Sequence, residues 1–137
     1  MIIYKQLNDY LVSLVNNHDT VLEIAGEPNG YLLKNTSFKV TSNISKLEGL
    51  DIIYDAHNSL FKNSSFDFIF MIAAGYFMED QYKVFSEAYR NLKDDGTFVI
   101  DTYKQKILKK LASLQDMQKV RVNIEGSLTA HGLEVFL

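Results

Sequence analysis

Residues Phe66–Met71, FDFIFM, decide how this chain reads. The run is short, apolar and aromatic, and it is entered through the turn-forming Asn63-Ser64-Ser65. That is the pattern of a strand buried on both faces in a parallel sheet. From Gln81 onward the period changes. Tyr82, Phe85, Tyr89 and Leu92 mark one apolar face of a helix, with Glu87 and Arg90 within pairing distance on it. Asp95-Gly96 ends the predicted helix, and Thr97–Ile100, TFVI, predicts the next strand.

Working outward, Ile3, Leu7, Tyr10, Leu11 and Leu14 repeat at helical spacing and predict an amphipathic N-terminal helix. Val21-Leu22-Glu23-Ile24 predicts a buried strand, followed by Pro28-Asn29-Gly30 and a brief helical stretch near Tyr31–Lys34. Phe38–Val40 and Leu50–Tyr54 predict two more strands. Toward the C-terminus, Ile107, Leu111 and Leu114 predict a helix, and Val120, Val122 and Ile124 alternate with polar residues. With the apolar run Leu133–Leu137 they predict an antiparallel C-terminal hairpin. The expectation is one domain spanning residues 1–137, a three-layer α/β/α sandwich with a mostly parallel sheet.

Composition narrows the function. The chain has 137 residues, is 47% hydrophobic and 23% charged, and carries a net charge of -3. It lacks the basic field of a protein that tracks phosphate backbones, so no nucleic-acid partner is expected. Without cysteine there is no disulfide, thiolate nucleophile or cysteine-ligated metal site. His18, His57 and His131 are scattered and read as loop residues, so no metal is expected. The longest apolar stretch, Phe66–Met78, is interrupted by Asp67 and too short for a bilayer span. The N-terminus shows no secretory leader, and the reading is a soluble, cytoplasmic protein.

Two longer stretches carry a family resemblance. DAHNSLFKNSSFDFIF, Asp55–Phe70, resembles the segment after the third strand of class I S-adenosylmethionine-dependent methyltransferases, especially the ubiquinone and menaquinone biosynthesis group. FSEAYRNLKDDGTFVI, Phe85–Ile100, is similar to that family's helix, Arg-x-Leu-Lys-Pro-Gly-Gly turn and fifth strand; Asp94 and Asp95 replace the Pro-Gly. With VLEIAGEPNG, Val21–Gly30, the likeness covers most of Val21–Thr102. It implies a Rossmann-like methyltransferase fold, with S-adenosylmethionine bound beyond the carboxyl ends of the strands. The cofactor-binding residues it implies are Glu23, Ala25, Gly26, Glu27, Asn43, Asp55 and Ala56. In that family Glu23's position orients the amino group, Asn43's the ribose, and the Asp55-Ala56 pair reads the adenine edge.

Three departures stand against this. The family's acid-x-Gly-x-Gly-x-Gly motif becomes Glu23 followed by Ala25, Glu27 and Asn29 at the glycine places. Asn29 tolerates the left-handed backbone that glycine supplies. Glu27 is the serious change. Facing the cofactor's carboxylate at about 4 Å, it would repel by about 4 kcal/mol at an effective dielectric of 20, roughly a thousandfold in affinity. Facing the ammonium or sulfonium it would help, and the sequence does not choose between these orientations. Asn43 replaces the ribose-binding acid, keeping an acceptor but losing the charge. Finally, only Ile44–Gly49 separate the second strand from Leu50, whereas a parallel crossover usually needs about a dozen residues.

The leading expectation is therefore methyl transfer to an unidentified acceptor, with no catalytic base that can be named. The alternative is a methyltransferase-fold protein without catalysis, serving in binding or assembly. A nicotinamide-binding domain is weaker, because no Gly-x-Gly-x-x-Gly follows Ile24. No insertion forms a substrate lid, which leaves the acceptor site open or completed by a second subunit in a homo-oligomer.

Overall fold

The computed structural model describes residues 2–36, 38–72, 78–101, 120–123 and 134–136. In chain order the elements are α1 (Ile2–Leu14), β1 (Val21–Glu23), β2 (Lys39–Asn43), β3 (Ile52–Ile53), β4 (Phe66–Met71), α2 (Gln81–Asn91), β5 (Leu92–Asp101), β6 (Val120–Asn123) and β7 (Glu134–Phe136). They form one seven-stranded sheet of order β3-β2-β1-β4-β5-β6-β7. β1 to β6 pair in parallel, and β7 runs antiparallel to β6, with Val122 opposite Val135. The order reverses between β1 and β4, which creates the crevice where open α/β sheets hold ligands.

The run that decided the fold behaves as a strand covered on both sides. Phe68 and Phe70 enter one apolar cluster with Val21, Val99, Leu32, Leu33 and Leu11 of α1. Ile69 and Met71 enter the other with Leu22, Phe98, Ile100 and Val84, Phe85 and Ala88 of α2. Successive side chains of a strand point to opposite faces, so a continuous apolar run needs cover on both. α1 and α2 supply that cover, giving the three layers of a Rossmann-like α/β/α fold. Among the described residues no helix is long and apolar enough to cross a membrane.

Several boundaries differ from the sequence reading, each for a local reason. Tyr31–Lys34 is turn rather than helix. Leu33 has φ 50°, a left-handed conformation that an α-helix cannot contain, and its N–H donates to Asn8 Oδ1 at 2.7 Å. α2 stops at Asn91 instead of continuing to Asp95-Gly96, and Leu92 caps it in extended conformation. Leu92 already pairs with Phe66, yet the next aligned pair is Phe68 with Thr97, so residues 93–96 bulge out of the ladder. Gly96 closes that bulge: a Cβ there would lie 2.9 Å from the Lys93 carbonyl oxygen and 3.1 Å from that of Asp67. β2 runs on to Asn43, and β3 is confined to Ile52–Ile53. The predicted helix around Ile107–Leu114 and His131 lie outside the described residues.

The short crossover is explained by how little β3 pairs. Ile52 and Ile53 align only with Ser42 and Asn43, the last residues of β2. Ile44–Asp51 need step back by only two residues' length, and no helix is required. Asp51 anchors the return by accepting the Thr41 N–H on Oδ2 at 2.8 Å and donating its own N–H to Thr41 O at 3.2 Å.

Candidate functional site

The loops after β1, β2 and β3 meet at the crevice. The first, Ile24–Gly30, is stitched to both neighbours of β1: Ile24 N–H donates to Phe70 O at 2.9 Å and Gly26 N–H to Ser42 O at 2.9 Å. Ala25 and Asn29 have φ 59° and 58°. The backbone thus takes a glycine-type conformation at two of the three places where glycine is replaced. For Ala25 this costs about 1–2 kcal/mol. Gly30 N–H donates to Glu27 O at 3.0 Å, closing a turn with Pro28 second and left-handed Asn29 third, as a type II turn prefers. Glu27, whose orientation the sequence leaves open, is exposed.

Glu23 is buried, at 6% exposure. Its Oε1 accepts the Thr41 hydroxyl at 3.3 Å and lies 3.5 Å from Lys39 Nζ. Lys39 is held in turn by donating to Leu32 O at 2.9 Å. Burial pushes the Glu23 carboxyl up from its ordinary value, against the opposing pull of Lys39 and Thr41. The side chain lies over Gly26, where a Cβ would collide with the carboxylate. Gly26 is required by Glu23 packing rather than by a left-handed φ.

Asn43 ties the second loop to the first. Its Nδ2 donates to Gly26 O at 2.8 Å, while Oδ1 accepts the Ser45 N–H at 2.9 Å. Ser42 adds a hydroxyl bond to Glu23 O at 2.7 Å. Gly49, at φ 87°, brings the crossover against Pro28, whose Cβ would be 3.2 Å from a Cβ at position 49.

Asp55 begins the third loop. Its Oδ1 accepts both the His57 N–H and His57 Nδ1, each at 2.9 Å, and Oδ2 receives Asn58 Nδ2 at 3.3 Å. The His57 backbone and ring hold the Asp55 carboxyl below its ordinary value. Ala56 is buried in the α2-side core. Downstream, α2 clamps the rest of this loop. Glu87 Oε1 accepts the Ser59 N–H at 3.0 Å, and Arg90 donates to Ser59 O, Phe61 O, Asn63 Oδ1 and Glu87 Oε2 at 2.8–3.1 Å. Asn91, fully buried, donates to Phe61 O and Lys62 O and accepts the Ser59 hydroxyl at 2.6 Å.

Glu23, Ala25, Gly26 and Asn43 are therefore brought into one bonded cluster, with Glu27 on its rim and Asp55-Ala56 on the next loop. The sequence reading missed His57, Lys39, Ser42 and Asn91 as members of this construction. Nothing local marked the first three. Asn91, a polar residue directly before the apolar Leu92 at a helix end, was the one readable signal. Asp67, from the family-like stretch Asp55–Phe70, serves elsewhere: Oδ2 accepts Thr20 N–H at 2.8 Å, Thr20 Oγ1 at 3.0 Å and Lys93 Nζ at 3.3 Å. Burial opposes ionisation of Asp67, but these partners outweigh it and hold its carboxyl below the ordinary value.

Comparison with known proteins agrees with this architecture. A family model described as a methyltransferase domain matches residues 24–100. Among curated proteins no sequence match is found. A solved protein of Pyrococcus horikoshii is similar with a TM-score of 0.64 and 24% identity, over 96% of this chain and 71% of its own. The YcgJ protein of Bacillus subtilis gives 0.61 and 18%, over 80% and 56%. A SAM-dependent methyltransferase of Thermotoga maritima gives 0.57 and 19%, over 94% and 70%. The chain spans from about half to about seven-tenths of these three proteins.

Proposed function

The chain belongs to the methyltransferase domain family, and from that premise we propose that it binds S-adenosylmethionine in the crevice beyond β1–β3 and transfers its methyl group. The observation that carries the reading is the backbone of the first loop. Ala25 and Asn29 hold left-handed conformations at glycine places, so the loop takes there the backbone geometry that glycine would otherwise supply. A strained residue persists only where its surroundings over-determine it, and such positions cluster at ligand sites.

The residues present fit the cofactor. Asp55 Oδ2, with only a long contact from Asn58, retains acceptor capacity for an exocyclic amine. Glu23 shapes the loop from beneath through Gly26, and Asn43 keeps the loop on β2. The cofactor, when bound, supplies an electrophilic methyl group. The protein's share is positioning and the exclusion of water. The acceptor is a small molecule or a partner surface presented at the same crevice.

One observation favours a second reading, a methyltransferase-fold binding module without catalysis. Both polar ends of Asn43 are already engaged, which leaves the ribose fewer free partners than a carboxylate offers. Calorimetric titration with S-adenosylmethionine and S-adenosylhomocysteine separates the two. Micromolar binding supports the enzyme; no heat at millimolar ligand leaves the binding module. Glu27→Gly refines the test: stronger binding in the variant means that the exposed carboxylate repels the ligand's own, and unchanged binding means that it does not.

A further inference from the structure

We infer that His57 is a positioning residue for nucleobase recognition: it fixes Asp55 so that one carboxylate oxygen is spent on the protein and the other is kept for a ligand amine. The inference rests on the cofactor reading above and deepens it. Asp55 is on a loop with 41% of its side chain exposed, where a carboxylate would ordinarily sample several rotamers. Here Oδ1 accepts two bonds from a single residue, the His57 N–H and Nδ1–H, both at 2.9 Å. Those bonds occupy its lone pairs, and Oδ2 retains capacity beyond the 3.3 Å contact from Asn58.

The ring that does this is itself held. His57 Nε2 accepts the backbone N–H of Asp80 at 3.1 Å. An imidazole that accepts at Nε2 and donates at Nδ1 has one tautomer specified, and its plane is set at both edges. Asp80 is the N-cap of α2, its side chain accepting the Lys83 N–H at 3.1 Å. α2 is seated in the core through Val84, Phe85 and Ala88. The orientation of Asp55 is thereby referred to the rigid part of the fold, across the loop rather than along it.

The chemical consequence is selectivity. A carboxylate oxygen held in place rewards a ligand N–H donor and opposes a carbonyl oxygen. An adenine, with its exocyclic amine, is favoured over a hypoxanthine, which carries an oxo group there. A freely rotating Asp55 would discriminate far less.

The test is calorimetric titration of the full chain and its His57→Ala and His57→Asn variants with S-adenosylhomocysteine and S-inosylhomocysteine. Melting temperatures are followed alongside. The wild type should prefer the adenine compound by tenfold or more. In His57→Ala, affinity for it should fall about tenfold, the scale of one hydrogen bond to a charged group, while the hypoxanthine compound changes less than twofold. His57→Asn, whose amide N–H stands close to the place of Nδ1–H, should recover most of the preference. A preference that survives His57→Ala, or an equal loss for both ligands, overturns the role of His57 while leaving the cofactor reading intact. Failure of the wild type to bind either compound overturns both.

Discussion

Asn43 Nδ2 and the Gly26 carbonyl, 2.8 Å apart, join the end of β2 to the loop after β1. The family resemblance implies a ribose-binding acid at this place. Here the side chain is a bond within the protein, and the difference has a consequence for engineering the site.

Restoring the acid should weaken the fold. In Asn43→Asp, a carboxylate oxygen replaces the amide that donates to Gly26 O, setting two acceptors against each other. Ser45 N–H keeps its acceptor. A loss of about 1–3 kcal/mol is expected in urea unfolding. A variant as stable as the wild type that also binds S-adenosylhomocysteine more tightly would show that the Gly26 bond matters little.

Asp67 should matter for stability and not for ligand binding. Asp67→Ala leaves the Thr20 N–H without its acceptor, while the Thr20 hydroxyl keeps Ser65 O at 3.2 Å, at a cost of about 1–3 kcal/mol. The folded protein holds this carboxyl below its ordinary 3.8. Its contribution is therefore present above pH 3.8 and lost as pH falls through the lower folded value. Acid titration of wild type and Asp67→Asn should bring the two stabilities together below that window. A gap that stays constant down to full acid unfolding would count against the assignment.

Glu23 should have the opposite pH signature. Its carboxyl is raised above 4.5 by burial, so its contribution is full below the unfolded value and is lost as pH rises through the folded one. The stability of wild type relative to Glu23→Gln should decline as pH rises above 4.5 and through the raised folded value. Urea midpoints for both proteins across that range check the sign. A difference that increases with pH would mean that Lys39 dominates the environment of Glu23.

The clamp between α2 and the third loop should control access to that loop. Asn91→Ala removes two donors and one acceptor from buried bonds to residues 59–62, which should cost about 2–3 kcal/mol. Trypsin cleavage after Lys62 should accelerate in the variant. Arg90→Lys should act in the same direction but less, because an ammonium cannot reproduce the fork that reaches Ser59, Phe61, Asn63 and Glu87. Unchanged proteolysis in Asn91→Ala would show that the loop is held by its apolar contacts alone.

The sequence by itself determined the layers. Phe66–Met71 admits one physical solution, a strand covered on both faces, and the period change at Gln81 marks the helix that covers one of them. The family likeness was readable because Asp55, Ser65-Phe66-Asp67, Arg90 and Gly96 stand at matching spacings. Their roles were not readable. Asp67 and Arg90 hold the scaffold, and Gly96 is required by the carbonyls of Lys93 and Asp67. The tertiary structure decided three things: that Ala25 and Asn29 adopt glycine-type conformations, that Asn43 is spent on Gly26, and that Asp80, at the start of α2, fixes His57 and through it Asp55. Each depends on bonds between residues separated in the chain, or on a backbone geometry forced by such bonds. Periodicity records which face of an element is apolar, but it does not record which donor meets which acceptor once the faces have closed.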